Sequence, residues 1–211
     1  MRNLNFQNEE YYHIYNRGVD RREIFCCDQD YVRFLIGMRE FNRKNPIGSL
    51  HVLKESDSLA KESDSFSDKL VSIVCYCLIP NHYHFILKQN VDKGISKFIQ
   101  KISTGYTNYF NFKYKRTGVL FQGKFKAIHI TSESQLLRLS AYVNANAQVH
   151  KLAAAATYPW SSYPDYINKR NGTLCHKQII LDEFKNVFEY RNFTDIIIKE
   201  AQEIKKEINE I

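Results

Sequence analysis

The pattern of hydrophobic and polar positions, with its β-branched and aromatic runs, marks four strands along the chain. Tyr11-Tyr12-His13-Ile14-Tyr15-Asn16-Arg17 is the first, ended by Gly18 and the polar loop Val19-Asp20-Arg21-Arg22-Glu23. Val71 to Ile79 is dense in β-branched and aromatic residues and reads as the second. Pro80 and Asn81 then turn the chain, because proline fixes φ and cannot donate to a ladder. The run from His82 to residue 89 completes an antiparallel hairpin, and a fourth strand falls near residues 125–130. Helical spacing takes over between them. Tyr31, Phe34, Leu35 and Met38 predict a helix from about Asp30 to Asn42, with Asp28 as its N-cap. Ile95, Phe98, Ile99, Ile102, Tyr106, Tyr109 and Phe110 form one apolar face of a second. Thr131 or Ser132 caps a third, which runs on to Asn146. From Lys177 to Ile211, Ile179, Ile180, Phe184, Val187 and Phe188, then Ile196, Ile197, Ile204 and Ile208, predict two amphipathic helices of mixed charge. Packing on the core, contact with a binding partner and self-association are all open to them.

The period of two gives the hairpin its chemistry. His82, His84, Ile86 and Lys88 point to one side of the third strand, and Tyr83, Phe85 and Leu87 to the other. Two imidazoles at i and i+2 stand about 7 Å apart at their Cα atoms, close enough to converge on one cation. An ordinary hydrogen-bonded histidine pair at a strand edge has the same pattern. His13, on the first strand, reads as a half-exposed strand residue with no special role.

Between Lys93 and Thr131 there is no aspartate or glutamate. Lys97, Lys101, Lys113, Lys115, Arg116, Lys124 and Lys126 are interleaved there with aromatics, most of which belong to the helix core. Cations without acidic neighbours suit a phosphate backbone, and aromatics in turns suit exposed bases. These seven, with Arg17 at the end of the first strand, are the candidate nucleic-acid contacts. In the third helix, Tyr142 and Asn146 are i and i+4, so they share a face one turn apart. That places a hydroxyl and an amide oxygen together, an arrangement that packing tyrosines also show.

The remaining features bound the class of protein. The chain has 211 residues, 44% of them hydrophobic and 25% charged, as in an ordinary globular protein. A net charge of +7 permits a polyanionic partner without demanding one. Five cysteines, with no C-x-x-C pair, argue against a disulfide framework or a zinc ribbon and for a reducing compartment. No signal-peptide core and no long apolar run is present, so the expectation is a cytoplasmic protein, nucleoid-associated when on DNA. Lys54-Glu55-Ser56-Asp57-Ser58-Leu59-Ala60 is nearly repeated by Lys61-Glu62-Ser63-Asp64-Ser65-Phe66-Ser67. This polar repeat has little to bury and predicts a flexible insert over about 49–70.

Several blocks in one order carry a specific resemblance. Leu78-Ile79-Pro80-Asn81-His82-Tyr83-His84-Phe85 resembles the histidine–bulky residue–histidine motif of the single-tyrosine, HUH-type transposases. Tyr12-His13-Ile14-Tyr15-Asn16-Arg17-Gly18, Thr117-Gly118-Val119-Leu120-Phe121-Gln122-Gly123-Lys124-Phe125-Lys126 and Tyr158-Pro159-Trp160-Ser161-Ser162-Tyr163 bring it closer to the REP-associated tyrosine transposases. The likeness spans roughly Tyr11 to Tyr163. That family's Tyr-Ile-x-x-Asn-Pro segment is similar to Tyr142-Val143-Asn144-Ala145-Asn146-Ala147, with Ala147 where the proline stands.

The resemblance implies an α+β, ferredoxin-like antiparallel sheet with helices on one face, followed by the C-terminal helices. It divides the chain into a transposase domain over 1–168 and a helical extension over 169–211. It implies Tyr142 as nucleophile and His82, His84 and Asn146 as ligands of a divalent cation, Mg²⁺ or Mn²⁺, although the ligand set alone also admits zinc. The implied reaction is cleavage of single-stranded, hairpin-forming DNA through a 5′-phosphotyrosine, with rejoining to a 3′-hydroxyl. Two rivals share these residues: a catalytically inactive DNA- or RNA-binding module, and a metal-dependent nuclease that uses water and not Tyr142. Monomer and homodimer are both compatible with the sequence.

Overall fold

The strands form where the apolar runs and their breakers place them. In the computed structural model, which describes residues 5–45 and 68–209, β1 is Tyr11–Arg17, β2 is Val71–Ile79, β3 is His82–Gln89 and β4 is Lys126–Ile130. They make one sheet in the order β2-β3-β1-β4, and every neighbouring pair is antiparallel. The bulk of the expected insert lies outside the described residues. Its last residues are anchored, because Leu70 is buried and its N–H donates to the Asn42 carbonyl at 2.9 Å.

Two helices cover one face of this sheet. α1 (Asp28–Glu40) connects β1 to β2, and α2 (Gly94–Lys113) connects β3 to β4. With them the order β-α-β-β-α-β and the strand arrangement are those of a ferredoxin-like α+β fold. Tyr12, Ile14, Tyr83, Phe85 and Leu87 meet Phe34, Met38, Phe98, Ile102 and Tyr106 in that layer. The expected Asp28 cap is displaced by one residue. Cys27 is the N-cap, and Asp30 completes the capping box by accepting the N–H groups of Cys26 and Cys27 at 2.9 and 3.2 Å.

The other face is covered as well, by α3 (Glu133–Asn144), the single turns α4 (Asn146–Val149), α5 (Tyr163–Tyr166) and α6 (Gln178–Leu181), and the long α7 (Val187–Asn209). Cover on both faces explains why β2 is buried at all nine positions and reads as an apolar run interrupted only by Ser72. A bulge between Ile73 and Cys75 lets Val74 and Cys75 both face this second layer, with Cys77, Ile79 and Ile86. Of the two expected C-terminal helices, the first is one turn only. The second packs its Tyr190 and Ile198 into the same cluster as Val143 of α3. Asn144 ties them, donating to Tyr190 Oη at 2.8 Å and accepting from Ser162 Oγ at 2.6 Å. Among the described residues, no helix is long and apolar enough to cross a membrane.

Candidate active site

β3 is a central strand, so its alternation is enforced from both sides. Tyr83 and Phe85 are locked in the first layer, which turns His82 and His84 toward the second. Their ring centroids are 5.0 Å apart. Each ring has its Nδ1 engaged: His82 with Asn81 Oδ1 at 2.7 Å, and His84 with His13 Nε2 at 2.9 Å. In each ring Nε2 is the nitrogen that these two bonds leave over.

His13 is therefore not the half-exposed strand residue that its sequence suggests. Only 6% of it is exposed, and it stands in the hydrogen-bonded row that backs His84. No signal along the chain marks this contact, because the partners are 71 residues apart and meet only through the β1–β3 register. His150 likewise carries no sequence signal, and its ring lies 5.1 Å from that of His82.

Tyr142 and Asn146 approach this pair from the helical layer. The helix is not continuous between them as expected. α3 ends at Asn144, and Ala145 breaks the turn before α4 starts at Asn146. The two side chains nevertheless stay together, close enough for the Asn146 amide to favour ionised Tyr142. The Tyr142 ring stands edge-on to His84 with centroids 6.3 Å apart. Asn146 is fully buried, and neither Oδ1 nor Nδ2 makes a well-formed hydrogen bond. A buried amide without partners is costly, about 1–3 kcal/mol, and such groups are retained where something else satisfies them. At Ala147, the backbone N–H turns toward the buried Cys77 thiol, a donor that proline lacks.

Burial sets the protonation of the pocket. It pushes His82 down to about 4, with help from His150, Lys205 and Arg17. His150 falls to about 4 for the same first reason, then Lys205. His84, set deepest, is lowered well below the ordinary imidazole range by burial and then by His13, His82, His150 and Lys205. Neutral imidazoles keep the lone pair that metal ligation needs. Tyr142 is raised by burial, partly offset by Asn146, so its hydroxyl is protonated at neutral pH. Two neutral imidazoles and a fully buried amide that lacks a well-formed hydrogen bond fit a divalent cation that accepts nitrogen and oxygen. Among the described residues, no group of three or more His, Cys, Asp or Glu side chains is placed to hold a metal, so any such site depends on the amide.

Tyr142 also lines a groove of about 680 Å³ between α3 and α7, with Gln135, Arg138, Ile204 and Lys205. Arg138 and Glu200 pair across it at 2.5 Å, and Gln202 of α7 donates to the Gln148 carbonyl at 3.0 Å. α7 thus brings Lys205 beside the imidazoles, a cation that no motif or spacing along the chain links to them.

The expected DNA contacts divide into three groups. Arg17, opposite His82 in the β1–β3 register, is exposed, and Lys126 lies over the Tyr15 ring at 5.9 Å. Tyr15 in turn stacks on His84, so both cations border the site. Lys115 and Lys124 are exposed in loops, while Arg116 is held by Asn111 Oδ1 at 2.7 Å and the Val119 carbonyl at 3.3 Å. Lys97, Lys101 and Lys113 are on α2, on the sheet face opposite the histidines. Lys113 is engaged there by Asp30, with Nζ 2.7 Å from Oδ1.

Comparison with known proteins gives one family match and one similar solved structure. The family model for "Transposase IS200 like" matches residues 56–146, the stretch that carries both histidines, the tyrosine and the asparagine. No curated protein matches the chain. Among solved structures, that of a REP-associated tyrosine transposase bound to a REP hairpin is similar, with 12% identity and a TM-score of 0.58. The alignment covers 82% of this chain and 88% of that one. At that identity the likeness establishes the fold. Through residues 56–146 the chain is similar to the IS200-like transposases, on a fold shared with a REP-associated tyrosine transposase.

Proposed function

We propose that this protein cleaves and rejoins single-stranded DNA, with Tyr142 as the nucleophile and a phosphotyrosine as the intermediate. One observation carries the reading. Two neutral imidazoles on β3 lie beside a tyrosine from α3, which adjoins a fully buried amide without a well-formed hydrogen bond at the start of α4, all inside the segment similar to the transposase family. His82 Nε2, His84 Nε2 and Asn146 Oδ1 are the atoms that would hold a divalent cation, Mg²⁺ or Mn²⁺. Such an ion, when bound, supplies charge stabilisation to the non-bridging oxygens of a phosphodiester.

The chain's own residues do the rest. Arg17, Lys126 and Lys205 surround the imidazoles with positive charge and suit a phosphate backbone. The Tyr142 oxygen attacks phosphorus in line. Its bond to phosphorus forms as the bond from phosphorus to the preceding 3′-oxygen breaks. The tyrosine proton is lost and the departing 3′-oxygen gains one, leaving a 5′-phosphotyrosine and a free 3′-hydroxyl. Attack by a 3′-hydroxyl on that phosphotyrosine reverses the exchange, so rejoining needs no nucleotide cofactor. A tyrosine fixed on a helix needs an accessible, distorted backbone for in-line approach, which favours single strands beside a hairpin over duplex.

The test is a denaturing gel of labelled single-stranded oligonucleotide incubated with full-length protein and Mn²⁺. Wild type is expected to give a protein–DNA adduct on the fragment that carries the 5′ phosphate. Tyr142→Phe removes one oxygen and keeps the ring, so it is expected to give neither adduct nor cleavage, with binding and melting temperature preserved. Cut DNA with no adduct would favour the water-using nuclease, and binding without cleavage the inactive module.

A further inference from the structure

His82 and His84 reach the pocket with the same atom by different means. The Nδ1 of His82 meets an amide oxygen, Asn81 Oδ1, which only accepts, so Nδ1 carries the proton and Nε2 is bare. His84 meets another imidazole, His13 Nε2, at 2.9 Å with the ring planes 19° apart. Here the partner type does not set the direction of the bond. If His84 Nδ1–H donates, His84 Nε2 has a free lone pair. If His13 Nε2–H donates instead, a neutral His84 must carry its proton on Nε2, pointing into the pocket, where it blocks a cation.

We infer that His13 is the positioning residue of the metal site: it accepts the His84 Nδ1–H through Nε2 and thereby fixes Nε2 of His84 as the ligand atom. The inference rests on the metal-dependent reading above. The fold supports it from three directions. Tyr15 stands directly opposite His84 and Ile86 opposite His13, so His13 is the diagonal cross-strand neighbour, the relation within reach of long and aromatic side chains. The Tyr15 ring backs both imidazoles, 5.1 Å from His13 and 5.5 Å from His84, leaving His13 little freedom to turn away. His13 is also 6% exposed, so water does not compete for its Nε2. A ligand imidazole whose second nitrogen is bonded in this way is held in tautomer and orientation, and such partners are commonly worth 10–100-fold in metal affinity.

Two measurements on the full chain test this. Long-range ¹H–¹⁵N spectra of wild type are expected to show His84 protonated at Nδ1 and His13 at its own Nδ1. An Nε2-protonated His84 in the metal-loaded protein would overturn the inference without any substitution. Mn²⁺ titration followed by electron paramagnetic resonance is then compared among wild type, His13→Gln and His13→Phe, each checked by thermal melting. The glutamine oxygen reaches the place of Nε2 and accepts, so His13→Gln is expected to bind within a few-fold of wild type. His13→Phe keeps a ring but cannot accept, so binding about 10–100-fold weaker is expected. Equal loss in both variants, or none in either, would overturn the positioning role while leaving the metal reading intact. If wild type and His84→Ala bind Mn²⁺ alike, the metal reading falls and this inference with it.

Discussion

Lys113 separates two readings of one cation. Its place in an acid-free stretch marks it as a phosphate contact, yet its Nζ lies 2.7 Å from Asp30 Oδ1 and 3.2 Å from Tyr109 Oη. Asp30 has no exposed surface and keeps its charge by five donors: the N–H groups of Cys26 and Cys27, the hydroxyls of Tyr109 and Tyr114, and Lys113. Lys113→Met keeps the stem and removes the charge. Breaking a fully buried ion pair by deleting one partner costs about 3–5 kcal/mol. The Lys113 side chain is 26% exposed, and the four other donors stay on the carboxylate, so the cost falls to about 2 kcal/mol. In a chain of this length that lowers Tm by about 4–8 °C. A lost contact to single-stranded phosphate would instead flatten the salt dependence of binding by about 0.7 in log–log slope. The assay pairs thermal melts with fluorescence anisotropy of a labelled oligonucleotide at several salt concentrations, below the melting range of both proteins. The expected result is a lower Tm with an unchanged slope. An unchanged Tm with a flatter slope refutes the reasoning and makes Lys113 a DNA contact after all.

Asp30 itself should make stability fall in acid. Burial pushes its carboxyl up, but Lys113, Tyr114, the Cys26 N–H and Tyr109 together hold it below the usual carboxylate range. Its contribution is therefore complete above the unfolded value of about 3.9 and is lost as pH falls through the lower folded value. In urea titrations from pH 6 to pH 2, Asp30→Asn is expected to start less stable than wild type and to show a shallower acid decline; parallel curves would contradict this. Tyr190→Phe removes the acceptor for Asn144 Nδ2 in a fully buried layer, and calorimetry should show a loss of about 1–2 kcal/mol; no change would mean that the bond contributes nothing to holding α7. Arg17→Ala and Lys126→Ala, beside the histidines, should each weaken oligonucleotide binding and flatten its salt slope by about 0.7, whereas Lys97→Ala, on the opposite face, should do neither. Anisotropy decides, and a Lys97→Ala effect equal to the other two would place the bound strand across α2.

The parts of the site legible in the sequence are those governed by local periods. His82 and His84 point one way because Tyr83 and Phe85 must point the other, and that follows from a period of two in a strand buried on both faces. Strand limits were legible for the same reason, since β1, β2 and β3 are runs with Gly, Pro or polar residues at their ends. The cap of α1 falls one residue before Asp28. Asp28 is of a type favoured at an N-cap, but the box is closed from the N3 position by Asp30, whose carboxylate also receives Lys113, 83 residues away. Spacing along α1 carries no trace of that partner.

The acid-free run shows the same limit from the other side. Absence of Asp and Glu between Lys93 and Thr131 says that a cation there has no acidic neighbour in sequence; it does not say that it has none in space. The sheet decides which cations are which. α2 and the histidines are on opposite faces, so the helical lysines of the run are separated from the pocket by the thickness of the sheet, while Arg17 and Lys126 reach it from strand ends. A lysine outside the run joins them: Lys205, delivered by an α7 that is anchored through Tyr190 to Asn144, two residues beyond Tyr142. The C-terminal helix thus shares a buried polar link with the helix that carries the tyrosine. Any change that loosens α7 therefore acts on the groove beside Tyr142 and on the charge around the imidazoles together.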